Sequence, residues 1–447
     1  MLSKTINTWI NPLLVGLLIL FSIPLKLPDI QESLEKFFAF NFPIRISLYT
    51  FFLPPVAFLG ILWNRKRAKD IWRQYHIPLI ILAFLFVWMW IGALMSDYPK
   101  IALKHSGRYS IYLLTFLAFL FALEPNSIKK SGNIFSGIYL LLMLITFLDW
   151  HGKISIPKLL SHFGFHIDLF LSDPKYSKNL SSFFENSNPY AVISVGVFFW
   201  NMMNFKNSFI LSSLGMAAAL YSVSISGSRN GILTLVLCII LLALFNLKNI
   251  HKSKKTFLIG TVTLILIFIS YNYINSHAVN RTSSIFNRLL KVKSYKDLEN
   301  LDIRFLIFRS TIEWGFSNPP LLGSGTKTFG QEVIAKSKNL AVVNKNNNKI
   351  KLNSHNALLT IWIEMGWIGL IAVLLFLWYW IRPALRAPPL MMMPIIAVCI
   401  GQILDYFVWE ILFMAFQSFF FAYFAASISL YNTRYLSTVI GKTRLKT

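Results

Sequence analysis

The chain has 447 residues, 55% of them hydrophobic, with a mean hydropathy of +0.57 and a formal charge of +25. That composition excludes an ordinary soluble protein: apolar runs recur along the whole length, and a bilayer-spanning helix needs about 20 such residues. The basic residues are scattered among these runs with no free-standing basic module, so no nucleic-acid partner is expected; the charge suits cytoplasmic loops, membrane lipids or an anionic lipid substrate.

Taken in chain order, candidate spans cover residues 9–25, 46–63, 77–95, 109–123, 134–150, 189–203, 209–225, 231–245, 257–274, 356–381, 390–404 and 407–431. The expected fold is therefore all-α, a polytopic membrane protein of about 12 transmembrane helices, because lipid leaves open backbone groups without partners and no barrel-type alternation is visible. The two cysteines, Cys238 and Cys399, fall inside apolar runs and are expected to be plain core residues. The first apolar run has no small-residue cleavage site after it and is expected to be a retained helix.

Orientation follows from the short loops. "RKRAKDIWRQ" (65–74), "LKNIHKSKK" (247–255), Lys129 and Lys130, Arg382 and Arg386, and the basic tail all fall on one side if both termini are cytoplasmic. The chain then divides into spans one to nine (1–274), a large external loop (275–354), and spans ten to twelve with the tail (355–447). Within the loop, "DLENLDIRFLIFRSTIEWGF" sets Leu301, Phe305, Phe308 and Ile312 at helical spacing, and "SNPPLLGSG" ends that helix. An amphipathic helix lying on the membrane face is expected there.

Three groups converge on the external face in this topology. Arg229 lies in the tight turn "SISGSRNGIL", Arg304 on the amphipathic helix, and His355 where the polar loop enters the next span in "KLNSHNALLTIWIEMGWIGL". Taken singly, each has a plain reading: headgroup contact for Arg229, an ordinary loop arginine for Arg304, a helix cap for His355. Taken together they suit one task, since two guanidiniums can clamp a diphosphate and an imidazole can accept a proton from an attacking hydroxyl.

These segments resemble the bacterial O-antigen ligases and their polymerase relatives. The resemblance rests on His355-Asn356 followed by Gly366-x-x-Gly369, on the Ser-Arg turn at Arg229, and on the arginine helix followed by "PLLGSG". "SDYPKIAL" near Ser96 and "FENSNPYA" near Asn186 resemble weaker elements. It implies a periplasmic loop between spans nine and ten, and a metal-independent, inverting glycosyltransferase without cofactor in the bacterial inner membrane, its site facing the periplasm. The implied donor is a glycan on undecaprenyl diphosphate and the implied acceptor a lipid A–core sugar hydroxyl. His355 matches the activating histidine, and Arg229 and Arg304 the diphosphate-binding arginines.

Supporting roles are expected of Asn356, Glu364, Asp405, Lys100 and Arg108. Glu364 is half a turn out of phase with His355 and is expected to pair with a polar group on another span. Asp405 and Glu410 flank the last external turn, where Asp405 could meet His355, bind an arginine or face water. Lys100, Lys104 and Arg108 form a basic strip that suits headgroups or the diphosphate. Gly366 and Gly369 are expected to let another helix approach. The same signature is shared by O-antigen polymerases and by oligosaccharyltransferases that modify protein hydroxyls. A twelve-span transporter or flippase is the reading from another class; against it stands the lack of a detectable duplication of halves.

Overall fold

Every regular element described is helical, as a chain that must satisfy its own backbone in lipid requires. The computed structural model describes residues 2–23, 52–150, 155, 158, 161, 162, 182–184, 186–246, 303–318, 320–334, 354–405 and 411–444. The α-helices are α1 (Leu2–Leu20), α2 (Leu53–Trp63), α3 (Ala68–Leu94), α4 (Pro99–Ala122), α5 (Ile128–Trp150) and α6 (Ser187–Asn204). They continue with α7 (Phe209–Ile225), α8 (Arg229–Asn246), α9 (Ile303–Ser317), α10 (Ala357–Ile381), α11 (Met393–Leu404) and α12 (Ile411–Arg444). The predicted span 257–274 and Glu410 lie outside the described residues, as does most of the predicted external loop 275–354.

Among the described residues, four helical stretches are long and apolar enough to cross a membrane: Arg65–Leu94, Ile128–Asp149, Ala357–Ile381 and Leu412–Tyr431. Several helices outrun their apolar stretch. Helix α4 starts at Pro99, so Lys100, Lys104 and Arg108 are its first turns rather than a loop strip. Proline at the start of a helix costs no hydrogen bond, because the first N–H groups have no intrahelical partner.

At the centre stands α6, in which every side chain from Pro189 to Asn201 is buried. It packs against α7, α8, α11 and α12. Its aromatic flank joins Phe135 of α5 and Phe419 of α12, whose rings stack with centroids 3.8 Å apart. Trp200 and Phe420 meet Phe135 edge-on. This apolar centre fixes where the helix ends emerge, and thus where their polar caps can meet.

Helix α10 is two helices joined at Gly366, whose φ of +71° belongs to the left-handed half of conformational space. The break frees backbone groups, and the 320–329 loop takes them up. Ser324 N donates to Ile363 O (2.9 Å), Gly325 N to Glu364 O (3.0 Å), and Trp367 N to Pro320 O (3.0 Å). From α3, Trp88 Nε1 donates to Met365 O at 2.9 Å. The far side of the loop is tied to the α3–α4 corner: Ser96 Oγ donates to Ser324 O, Thr326 Oγ1 to Ala102 O, and the Ser106 and Thr326 hydroxyls bond at 2.8 Å.

The expectation that Gly366 and Gly369 admit another helix is therefore corrected. A Cβ on Gly366 would stand 2.2 Å from Leu321 O, a loop carbonyl, and one on Gly369 would meet Met365 of its own helix. The face expected to be apolar on α9 is also different. Ile307, Ser310, Thr311 and Gly315 are buried, Ile307 joining Phe329, Val333, Trp362 and Ile363, while Ile312 and Phe316 are exposed. Docking on α10 selects that face; the 3.6-residue pattern alone marked the outer one.

Gly366→Ala is expected to destabilise the protein by about 1–3 kcal/mol or more, since both the dihedral strain and a backbone clash oppose the methyl group. Thermal unfolding of the detergent-solubilised protein measures this, and an unchanged midpoint would show that the break is dispensable.

Candidate functional site

The polar site lies where four helix ends meet, and each end is built by its own cap. Asn186 caps α6, its side chain accepting from Asn188 N at 2.9 Å. Ser228 caps α8, its hydroxyl accepting from Gly231 N at 3.1 Å, after a turn in which Ser226 Oγ accepts from Ser228 N. Asn356 caps α10, its Oδ1 accepting from Leu359 N at 3.0 Å. Such caps satisfy the first N–H groups of each helix. Helix α11 ends at Leu404, leaving Asp405 extended beyond it.

Asp405 joins all four. Its Oδ1 stands 2.9 Å from His355 Nδ1. Its Oδ2 accepts from Asn188 Nδ2 (2.8 Å) and Asn230 Nδ2 (3.2 Å). Asn188 in turn accepts from Ser228 Oγ at 2.7 Å through its own Oδ1. The residues on either side of Arg229 are thus bonded to the same carboxylate, directly or through one amide, as His355 is. Two amide donors on Oδ2 are the pattern an ionised carboxylate accepts. Opposite an ionised Oδ1, the Nδ1–H tautomer of His355 is the donor, and it carries its lone pair on Nε2. The side chain of His355 is 26% exposed and that of Asp405 4%, so the imidazole is accessible while its orienting partner is shielded.

His355 has a φ of +50°, in the left-handed region that non-glycine residues seldom occupy. The flanking bonds hold it there. Ser354 Oγ accepts from Asn356 N, donates to Asn356 O, and bonds the Thr360 hydroxyl. Strain of this kind persists where surrounding structure over-determines it, and it concentrates at functional positions. The plain reading of His355 as the helix cap gives way here: Asn356 is the cap, and His355 is turned aside toward Asp405.

The remaining candidates divide. Arg229 is the first residue of α8 and exposed, so its charge sits beside N–H groups that themselves attract anions. Arg304 occupies the first turn of α9, one turn before Ile307; its side chain lies outside the described residues. Lys100 is exposed on the first turn of α4, and Arg108 lies over the Tyr112 ring at 5.9 Å. Glu364 is buried, and among the described residues its hydrogen bonds are to backbone and not to His355 or a polar side chain on another span. Its Oε1 accepts from Phe329 N at 3.3 Å, and it also takes the Lys327 backbone N–H, so it caps the 320–329 loop. Among the described residues no three His, Cys, Asp or Glu side chains are grouped as metal ligands.

Asn188, Asn230 and Ser228 were quoted within motifs but not singled out. Their signal was local: Ser and Asn just before a helix read as caps, and nothing in the spacing showed that the caps would share one carboxylate.

A helix bundle with bilayer-length apolar helices and a polar His–Asp site among converging helix ends defines a helical membrane protein. Residues 214–374 match the family model described as O-Antigen ligase. That stretch, which contains Arg229, Arg304, His355, Asn356 and Glu364, supports the resemblance to the O-antigen ligase family that the motifs carry. Asn188, Asp405, Lys100 and Arg108 lie outside the matched residues. No curated protein gives a significant match to the chain.

Replacing Asn188 with Ala removes one donor from Asp405 and the acceptor of Ser228, and is expected to cost about 1–3 kcal/mol. Asn188→Asp, which sets a second carboxylate against the first, is expected to lower the unfolding midpoint further. A midpoint for Asn188→Asp at or above that of Asn188→Ala would contradict an acceptor role for Asp405 Oδ2.

Proposed function

We propose that the protein transfers a glycan from undecaprenyl diphosphate to a sugar hydroxyl of lipid A–core, at the periplasmic face of a bacterial inner membrane. The family-model match over residues 214–374 supports an O-antigen ligase or polymerase type of activity. The proposed topology has twelve crossings with both termini cytoplasmic, which puts the His355 end of the bundle at the periplasmic surface. The observation that carries the reading is the Asp405 carboxylate shared between His355 and the residues flanking Arg229.

In this reading Asp405 is a positioning residue. It holds the Nδ1–H tautomer and supports the imidazolium that forms. The acceptor hydroxyl lies at His355 Nε2 and gives up its proton there as its oxygen attacks the anomeric carbon. The new C–O bond forms on the face opposite the diphosphate, the bond from that carbon to the phosphate oxygen breaks, and the configuration inverts. Undecaprenyl diphosphate departs with the electron pair. Arg229, at the positive end of α8, and Arg304 take up the charge that develops on it. A diphosphate is already a good leaving group, so orientation and charge stabilisation can carry the barrier lowering with the chain's own residues. Glycan or protein acceptors would use the same donor half of the site.

His355→Ala is expected to lower transfer by about 10²–10⁴-fold, the range of a lost general base, without loss of membrane insertion. Asp405→Asn is expected to reduce kcat on the order of 10²-fold with KM little changed. Arg229→Lys and Arg304→Lys should each impair transfer despite conserved charge, because the planar fork is lost. The measurement is product formation in proteoliposomes from undecaprenyl-diphosphate glycan with lipid A–core, free glycan or protein as acceptor. Full transfer by His355→Ala would refute the base assignment, and a product on glycan or protein alone would reassign the acceptor.

A further inference from the structure

The short turn between α2 and α3 gathers charge and tryptophan at the end of the bundle away from His355. Tyr75, two residues past Arg73, packs its ring on Trp380 with centroids 4.8 Å apart. Trp380 is next to last in α10, a helix that starts two residues after His355 and is long enough to cross a membrane. The turn and His355 therefore lie at opposite ends of a membrane-length helix.

The turn is fixed from within, and only one of its cations takes part. Asn64 Nδ2 donates to Gly60 O at 3.0 Å, and Arg67 N to Asn64 O at 2.9 Å. Arg67 reaches inward: its Nη1 donates to Phe121 O, in the last turn of α4, at 3.3 Å, and it interacts with the Glu124 and Asp70 carboxylates. The other four, Arg65, Lys66, Lys69 and Arg73, are exposed, and among the described residues none of them forms an ion pair. Trp63 and Trp72 flank them, 57% and 54% exposed. Past the tryptophans the exposed surface turns aliphatic, with Leu59 and Leu62 on α2 and Ile77 and Ile80 on α3. A second pairing of the same kind stands at this end. Lys130, in the first turn of α5, lies 4.3 Å over the ring of Trp9, which is half exposed.

We infer that this corner binds an anionic phospholipid of the phosphatidylglycerol class, with its phosphodiester among Arg65, Lys66, Lys69 and Arg73, its glycerol backbone at the two indoles and its acyl chains along α2 and α3. Cations, then indole rings, then aliphatic side chains is the order in which phosphate, glycerol backbone and acyl chain follow one another at a lipid–water boundary. A zwitterionic head group brings its own cation and gains little from four more. A phosphodiester whose head-group alcohol is uncharged gains from each. A polyanion in solution would be drawn by the same charges but has no use for the indoles or for the aliphatic surface beyond them. The surface is separate from the Asp405 site, and the inference does not depend on the proposed transfer reaction.

The test is photolabelling of the full chain in phosphatidylcholine nanodiscs doped with phosphatidylglycerol that carries a diazirine near its glycerol backbone, against the same tag on phosphatidylcholine. On the peptides bearing Trp63 and Trp72, label from phosphatidylglycerol is expected at least fivefold above that from phosphatidylcholine. The triple variant Lys66→Gln/Lys69→Gln/Arg73→Gln is expected to bring the two labels level. Should that variant fail to insert, the unaltered chain gives the same reading through salt. Exposed charges are screened, so raising sodium chloride from about 0.05 M to about 0.5 M is expected to at least halve the excess. Equal labelling by the two lipids, an excess that survives the triple substitution or the salt, or an excess confined to peptides elsewhere in the chain would overturn the inference.

Discussion

A carboxylate shielded from water at the end of a helix bundle is stable only where its oxygens are fully engaged, and Asp405 engages both. That demand organises the site. It draws the start of α6, the Ser-Arg turn before α8 and the entry to α10 onto the end of α11, four segments separated by up to 217 residues. The caps of three of these helices are the adaptors. Each satisfies its own helix with one side chain and leaves a neighbouring amide or imidazole to face the carboxylate. An apolar centre around α6 can bring helix ends near one another, but apolar packing has no directional preference. The hydrogen bonds to Asp405 set the orientation of the imidazole and of the turn that carries Arg229.

The second constraint is the break in α10. A straight helix would carry the residues after His355 past the α3–α4 corner without a polar contact. The left-handed Gly366 opens the ladder, and the freed carbonyls accept from the 320–329 loop and from Trp88. Glu364 fixes the loop from beneath by accepting backbone N–H groups at 327 and 329. The loop follows α9 directly, so the same clamp that repairs the break also anchors the helix that bears Arg304. This gives the buried Glu364 carboxylate a structural task. It holds the scaffold of one arginine, as Asp405 holds the turn of the other.

Much of this was legible in the chain. Apolar runs marked an all-helical fold with membrane-length helices, and the polar-to-apolar seam at Asn356 marked the start of α10 to within one residue. The Ser-Arg turn was visible because Gly, Ser and Asn cluster between two apolar runs. What could not be read was everything that depends on a partner far away in sequence. Ile307 and Thr311 show no more bias toward burial than Ile312 until α10 is placed beside them. Gly366 reads as a packing glycine because its positive φ is a property of the fold. Glu364 was placed correctly as out of phase with His355, but its partner is a loop backbone, and backbone donors leave no trace in side-chain spacing. Asp405 showed as one acidic residue after a helix, with three futures open, until the caps of α6 and α8 were seen to share it.

The arrangement also bears on why the imidazole is placed at a helix entry at all. The N-terminal end of α10 is electropositive, as is that of α8, so an unaccompanied imidazolium between them would be opposed by both dipoles. Asp405 supplies the compensating negative charge at Nδ1, on the side away from the exposed face of the ring. In the proposed reading, an anion at the open side of the imidazole is drawn by the N-termini of α8 and α10 and by Arg229. In that reading, one site favours both an anionic leaving group and a proton acceptor. One carboxylate oxygen is turned to His355 and the other to the amides of Asn188 and Asn230, so the same group that orients the imidazole also fixes the turn that carries Arg229.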